Sequence, residues 1–201
     1  MKKLFFAVLA LVMWPAAAQQ FEEGVHYEVI AETATDKPEV REYFSFLCSA
    51  CYRFEPVAKA LATEYPENFV KNHVSFINYK GMGISLSRAY LVARQLNKDA
   101  EISDAIFKRN FIDNNMIGSK EDLQDIFAAH GIPPEELDKA MNSFSVRGMA
   151  NKMDRNASNL SVNATPTFIV NGKYKMDPAG FRDSQDFIGD FVKLAGYLLE
   201  K

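Results

Sequence analysis

The chain has two cysteines and three histidines, and neither a long apolar run nor an excess of basic charge. Each scarcity excludes something. A structural zinc site ordinarily takes four ligands. Cys48 and Cys51 supply two, and His26, His73 and His130 fall in separate expected elements, so no metal is expected. Covalent haem attachment needs histidine directly after the second cysteine, where this chain has Tyr52. A bilayer-spanning helix needs about 20 apolar residues, and the run from Leu4 to Trp14 is about half that. Charge is nearly balanced, with 23 Lys and Arg against 26 Asp and Glu and a net of −3. That balance gives no basic surface for nucleic acid. No repeat or low-complexity tract is visible.

What is present begins with Lys2 and Lys3, then the short apolar run, then Pro15 and Ala16-Ala17-Ala18. A basic start, an apolar core and small residues at the exit describe a cleavable secretory signal peptide over residues 1–18 rather than a membrane anchor. With no cysteine near the cut, a lipid-anchored form is not expected. Removing Lys2 and Lys3 leaves 21 basic against 26 acidic residues. About 183 residues remain, enough for one soluble domain of ordinary size, with or without a subdomain. The 48% hydrophobic fraction is normal for a chain that buries a full core.

Export bears on the cysteines, because disulfides persist outside the cytoplasm. A structural bridge is the default for a secreted pair. Yet a bridge stabilises mainly by restricting the unfolded chain, and closing the short ring from Cys48 to Cys51 restricts almost nothing. Reactivity explains the pair better. The segment from Glu39 to Leu47 is rich in aromatic and β-branched residues and predicts a buried strand running straight into Cys48. Beyond it Tyr52, Phe54, Val57, Ala58, Leu61 and Ala62 fall at helical spacing, so a helix starts at the cysteines, with Pro56 placed to kink it. Phe69 to Ile77 predicts a second strand, parallel to the first across that helix, and His26 to Ile30 a short earlier one.

The middle third has almost no strand signal. Helices are expected over Ser85 to Leu96 and Asp99 to Phe111. Another follows a capping box at Ser119-Lys-Glu-Asp122 and ends near His130-Gly131; a short one begins at Pro134, and the last runs from Phe144 to about Leu160. Together they make an all-helical block of about 75 residues. Strand character returns in "TPTFIVNGKYKM", a hairpin turning at Asn171-Gly172, before a closing amphipathic helix from Ser184 to Leu199. The architecture expected is an α/β domain interrupted by a helical insertion.

The thiolate is the attacking species in disulfide exchange. Cys48, at a helix start, meets unpaired backbone N–H groups and the positive end of the helix dipole, both of which favour the anion. Cys48 is therefore assigned as the exposed nucleophile and Cys51, one turn further in, as the resolving thiol.

At "EYFSFLCSACYRFE", "VKNHVSF", "SFSVRGMA" and "TPTFIVNGKYKMDP" the chain resembles the DsbA-type thiol:disulfide oxidoreductases of the bacterial periplasm, across essentially the whole mature sequence. The resemblance implies a thioredoxin-like fold over residues 19–80 and 163–201 with an inserted helical subdomain over 81–162. It implies that Pro166 is a cis proline facing the disulfide, with Thr165 before it; without the family, a trans proline opening a strand fits equally well. Position by position it also carries over Glu42, Glu55 and Lys71, which in the family lie under the disulfide and influence proton traffic. A buried carboxylate has a raised pKa unless paired, so Glu42 near Lys71 is placed to relay the Cys51 proton. The alternative is a solvated edge position for each. His73 reads as a packed or surface histidine rather than a catalyst.

Ser49 and Ala50 depart from the Pro-His dipeptide of many family members, and alanine cannot stabilise a thiolate as that histidine does. Oxidising strength is what this departure affects. The function implied is a periplasmic oxidase that donates the Cys48–Cys51 disulfide to reduced exported proteins. It needs no cofactor, is expected to be a monomer, and is reoxidised by a quinone-linked membrane partner of the DsbB type. Met82 and Ile84 are candidates for an apolar peptide-binding surface. One rival reading keeps the chemistry but runs it as a reductase or isomerase. Another is a secreted chaperone-like peptide binder in which the Cys-x-x-Cys is incidental.

Overall fold

Five short strands form one mixed sheet in a computed structural model that describes residues 21–201. The expected signal peptide at 1–18 lies outside the described residues. The strands are β1 (Tyr27–Val29), β2 (Val40–Phe44), β3 (Phe69–His73), β4 (Thr167–Val170) and β5 (Tyr174–Met176), in spatial order β1-β5-β4-β2-β3. β2 and β3 are parallel and joined by helix α1 (Ser49–Glu64); the other three pairings are antiparallel. Five helices fill the chain between β3 and β4: α2 (Gly83–Gln95), α3 (Asp99–Phe111), α4 (Lys120–Ala129), α5 (Pro134–Met141) and α6 (Phe144–Asn159). A short 3₁₀ turn at Pro178–Phe181 precedes the last helix, α7 (Phe187–Glu200). No helix among the described residues is long and apolar enough to cross a membrane.

Strand periodicity divides the interior. On β2, Val40, Glu42 and Phe44 share one face, and each pairs in register with Phe69, Lys71 or His73 of β3. Val40 packs with Leu61 of α1 and Phe191, Leu194 and Leu198 of α7, whereas Phe44 joins the apolar cluster of the helical block with Leu86, Ile106 and Phe127. Glu42 therefore sits at the seam between two cores. Tyr43, on the other face, packs with Val74, Ile169 and Ala157 of α6.

Local chemistry accounts for the element boundaries. The Ser119–Asp122 capping box opens α4 as expected. Asn171 and Gly172 both take positive φ, 53° and 62°, as the tight hairpin turn requires. α1 runs through Pro56 without ending. Three expected elements start or stop well inside their patterns. β3 ends at His73 rather than Ile77, because Ser75 turns to bond Asp154 of α6 through both its N–H and its hydroxyl. α7 starts at Phe187 rather than Ser184: Ser184 accepts the Asp186 N–H, and Asp186 caps the helix by accepting from Gly189. β2 stops at Phe44, three residues short of Leu47, for a reason that belongs to the site.

Candidate active site

After Phe44 the backbone donors leave the sheet. The Phe46 N–H donates to His73 Nε2 at 3.2 Å, the Leu47 N–H to Ser45 Oγ at 3.1 Å, and the Cys48 N–H to the Ser45 carbonyl at 3.1 Å. This tight turn delivers Cys48 to the N-cap of α1 in an extended conformation (φ −106°, ψ 111°). Its Sγ accepts the Cys51 N–H at 3.2 Å, the place a serine or aspartate oxygen usually takes at a helix start.

The two cysteines are chemically unequal. A hydrogen bond from the Cys51 thiol does most to bring the Cys48 pKa down from 9 to about 6; Thr165 and the N–H groups of Cys51 and Ala50 assist, against partial burial. Burial pushes the Cys51 thiol far above its ordinary value, and its proximity to Cys48 pushes the same way. Cys48 is half-buried, while Cys51 is wholly enclosed against the helical core.

Thr165, the residue before Pro166, lies against Cys48. The Cys48 Sγ is 3.4 Å from the Thr165 carbonyl oxygen, and the Thr165–Pro166 peptide bond is cis. The Thr165 hydroxyl is buried and makes no well-aligned hydrogen bond, yet it lowers both thiol pKa values. Beside it, Pro166, Thr167, Phe168 and Met176 line a cavity of about 220 Å³.

The three charged residues carried over from the resemblance form one cluster. Lys71 Nζ is 2.6 Å from Glu55 Oε1 and 3.3 Å from Glu42 Oε2. Glu55 follows Cys51 by one turn on the buried face of α1. Glu42 is fully buried and neither oxygen makes a well-aligned hydrogen bond, so burial pushes its pKa up to about 7 despite Lys71. Burial alone would lower Lys71; Glu42 and Glu55 overcome it and hold the ammonium above its usual range. None of the three occupies a solvated edge.

Ser49 is exposed and Ala50 half-buried in the first turn. Met82, expected near an apolar surface, is instead buried in the helical core, and Ile84 packs partly against it. His73 is packed, fully enclosed between Phe44 and Phe46, and held neutral: burial first, then Lys71, lowers its pKa to about 3. Sequence reasoning passed over Asn110. Its signal was a polar residue on the apolar stripe of Ile102, Ile106 and Phe107. Among the described residues no group of three or more His, Cys, Asp or Glu side chains is placed to hold a metal ion.

Residues 31–190 match a family model described as Thioredoxin. The thiol:disulfide interchange protein DsbA of Escherichia coli is 32% identical over 209 residues, covering 100% of both chains. Among solved structures, DsbA from Klebsiella pneumoniae superposes with a TM-score of 0.83 at 26% identity, over 92% of this chain and 100% of that one. Proteus mirabilis DsbA, in complex with the non-covalently bound peptide PWATCDS, gives 0.81 at 26% identity, over 90% and 100%.

Proposed function

The chain belongs to the DsbA-type thiol:disulfide oxidoreductases of the thioredoxin fold, and we propose that it is a periplasmic oxidant that passes the Cys48–Cys51 disulfide to exported proteins. The observation that carries this direction is the inequality of the thiols: an accessible Cys48 whose thiolate is favoured, beside a buried Cys51 whose thiolate is not. A disulfide is the stronger oxidant the more its reduced form is stabilised. Here that stabilisation falls on Cys48.

In the proposed reaction a substrate thiolate attacks Cys48 Sγ, the Cys48–Cys51 bond breaks, and Cys51 leaves with the electron pair. Cys51 does not persist as an anion in its enclosed site, so it takes a proton, for which protonated Glu42 is the proposed source. A second substrate thiolate then attacks the substrate sulfur of the mixed disulfide and expels Cys48 as a thiolate. Two electrons pass from the substrate dithiol to the protein. Lys71 offsets the negative charge that Glu42 acquires, and the Glu55 carboxylate, paired with the same ammonium, helps keep Glu42 protonated until then. Thr165 and Pro166 form the wall against which the substrate segment lies, and Ser49 and Ala50 set how far the Cys48 anion is favoured. The helical residues 81–162 act as an inserted subdomain that closes the apolar side of the pair, and reoxidation falls to a quinone-linked DsbB-type membrane partner.

Oxidative refolding of a reduced substrate protein tests the reading. With oxidised glutathione supplying the disulfide, Cys51→Ser should accumulate mixed disulfides through Cys48, and Cys48→Ser should neither form them nor oxidise substrate. Substrate oxidation by Cys48→Ser at the wild-type rate would refute the assignment. A glutathione equilibrium that leaves the protein oxidised under mildly reducing conditions would refute the direction.

A further inference from the structure

The Phe46 peptide, two residues before Cys48, has left the sheet and is enclosed from solvent, so both its polar groups need partners from elsewhere. Each finds a buried side chain from a different element. The N–H donates to His73 Nε2 at 3.2 Å, and the carbonyl accepts from Asn110 Nδ2 at 2.8 Å. Both side chains are anchored in turn. Because Nε2 accepts, the imidazole proton sits on Nδ1 and points to Ser87 Oγ at 2.8 Å, while Ser87 donates weakly to the Gly83 carbonyl at 3.4 Å. Asn110 Oδ1 accepts the Ile117 N–H at 2.8 Å, tying the same side chain to the loop after α3. Only Leu47 separates the gripped peptide from Cys48, and the Cys48 N–H is already bonded back to Ser45.

We propose that His73 and Asn110 are positioning residues for the thiol pair: they grip the Phe46 peptide from both sides and so fix Cys48 Sγ against the N–H fan of the first turn of α1. The favoured Cys48 thiolate depends on short, aligned contacts with the Cys51 N–H and thiol, and hydrogen bonds of this kind weaken steeply with misalignment. A loosened Phe46 peptide lets the capping turn shift and those contacts lengthen. His73 serves only as a neutral ring, since a protonated one has no acceptor for the Phe46 N–H. Its low pKa keeps it neutral across the working range. The grip also gives the helical block, through Asn110, a direct hold on the redox turn. This inference rests on the proposed function, in which Cys48 is the sulfur that exchanges with substrate.

The test compares two variants at His73. His73→Phe keeps a buried ring and removes the acceptor; His73→Gln can place a carbonyl oxygen where Nε2 stood. Asn110→Leu removes the donor to Phe46. The readouts are the Cys48 titration, followed by thiolate absorbance, and the reduced-to-oxidised ratio in a glutathione buffer, neither of which a purely structural role would move. For His73→Phe and Asn110→Leu the Cys48 pKa should rise and the ratio should fall by roughly threefold to tenfold, the range produced by losing one hydrogen bond. His73→Gln should stay near wild type. Should the larger changes prevent folding, Ser87→Ala and Asn110→Ser loosen the same grip with less lost volume and should move both readouts the same way. Folded variants that titrate and equilibrate like wild type would overturn the proposal. A wild-type Cys48 that titrates like an ordinary thiol would instead overturn the reading on which it rests.

Discussion

Replacing Cys48 with serine should remove a pH-dependent source of stability from the reduced protein. Lowering a thiol pKa from 9 to about 6 corresponds to about 4 kcal/mol of preferential binding of the anion. Cys48 is half-exposed, and solvent screening reduces this to about 2 kcal/mol. The sign follows from the direction of the shift. A depressed pKa contributes stability that is complete above the unfolded value of 9 and is lost as pH falls through about 6. Glu42 works in the opposite sense: its raised pKa gives stability below 4.5 that is lost as pH rises through about 7. Most of that contribution is common to wild type and Cys48→Ser and cancels in their difference, because Cys48 is the smallest of the causes that act on Glu42. Urea unfolding of both proteins under reductant should therefore show a gap that widens from nearly constant at about pH 5.5 by ~1.5 kcal/mol at about pH 8.5. The replacement itself adds a pH-independent offset, so the slope is the quantity to read. A flat difference across this window, or one that narrows with rising pH, would refute the assignment of a favoured thiolate to Cys48.

Ala50→His restores a cationic side chain beside Cys48 and should lower its pKa further, shifting the glutathione equilibrium towards reduced protein. A change of about 30 mV, equivalent to about 1.4 kcal/mol for this two-electron couple, is readily resolved by titration; no movement in either quantity would transfer control to Thr165. Lys71→Met leaves Glu42 and Glu55 buried without their cation, and removing one partner of a buried pair costs about 3–5 kcal/mol. Because Glu42 is largely protonated below about 7, the loss should grow with pH through neutrality; denaturant midpoints at acidic and alkaline pH check this, and equal losses at both would show that Glu42 does not change charge between them.

The elements themselves were legible because their signals are local. The Ser119–Asp122 capping box, Pro134 at a helix start, Asn171-Gly172 at a turn and the apolar spacing after Cys51 each act through neighbours within a turn or a hairpin. They give the order of strands and helices and place Cys48 at the N-cap with no knowledge of the rest of the chain. The family resemblance supplied Thr165, Pro166 and the charged trio, which local spacing leaves ambiguous between a buried cluster and three edge positions. Only the tertiary structure decided between those. Parallel register sets Lys71 beside Glu42, and the helix crossing brings Glu55 onto both, so charges that look solvated in a one-dimensional pattern share one enclosed site.

The early end of β2 shows the same division. Residues 44–47 carry full strand character, and propensity alone extends the strand into Cys48. What stops it is a set of partners from β3 and α3, His73 and Asn110, that take the Phe46 peptide out of the ladder. Hydrogen bonds over such separations leave no trace in local pattern, because what selects the partner is three-dimensional proximity rather than spacing. The sequence alone thus determined which residues form the redox turn. How that turn is held, through His73 and Asn110, was decided by the packing of the helical block and sheet around it.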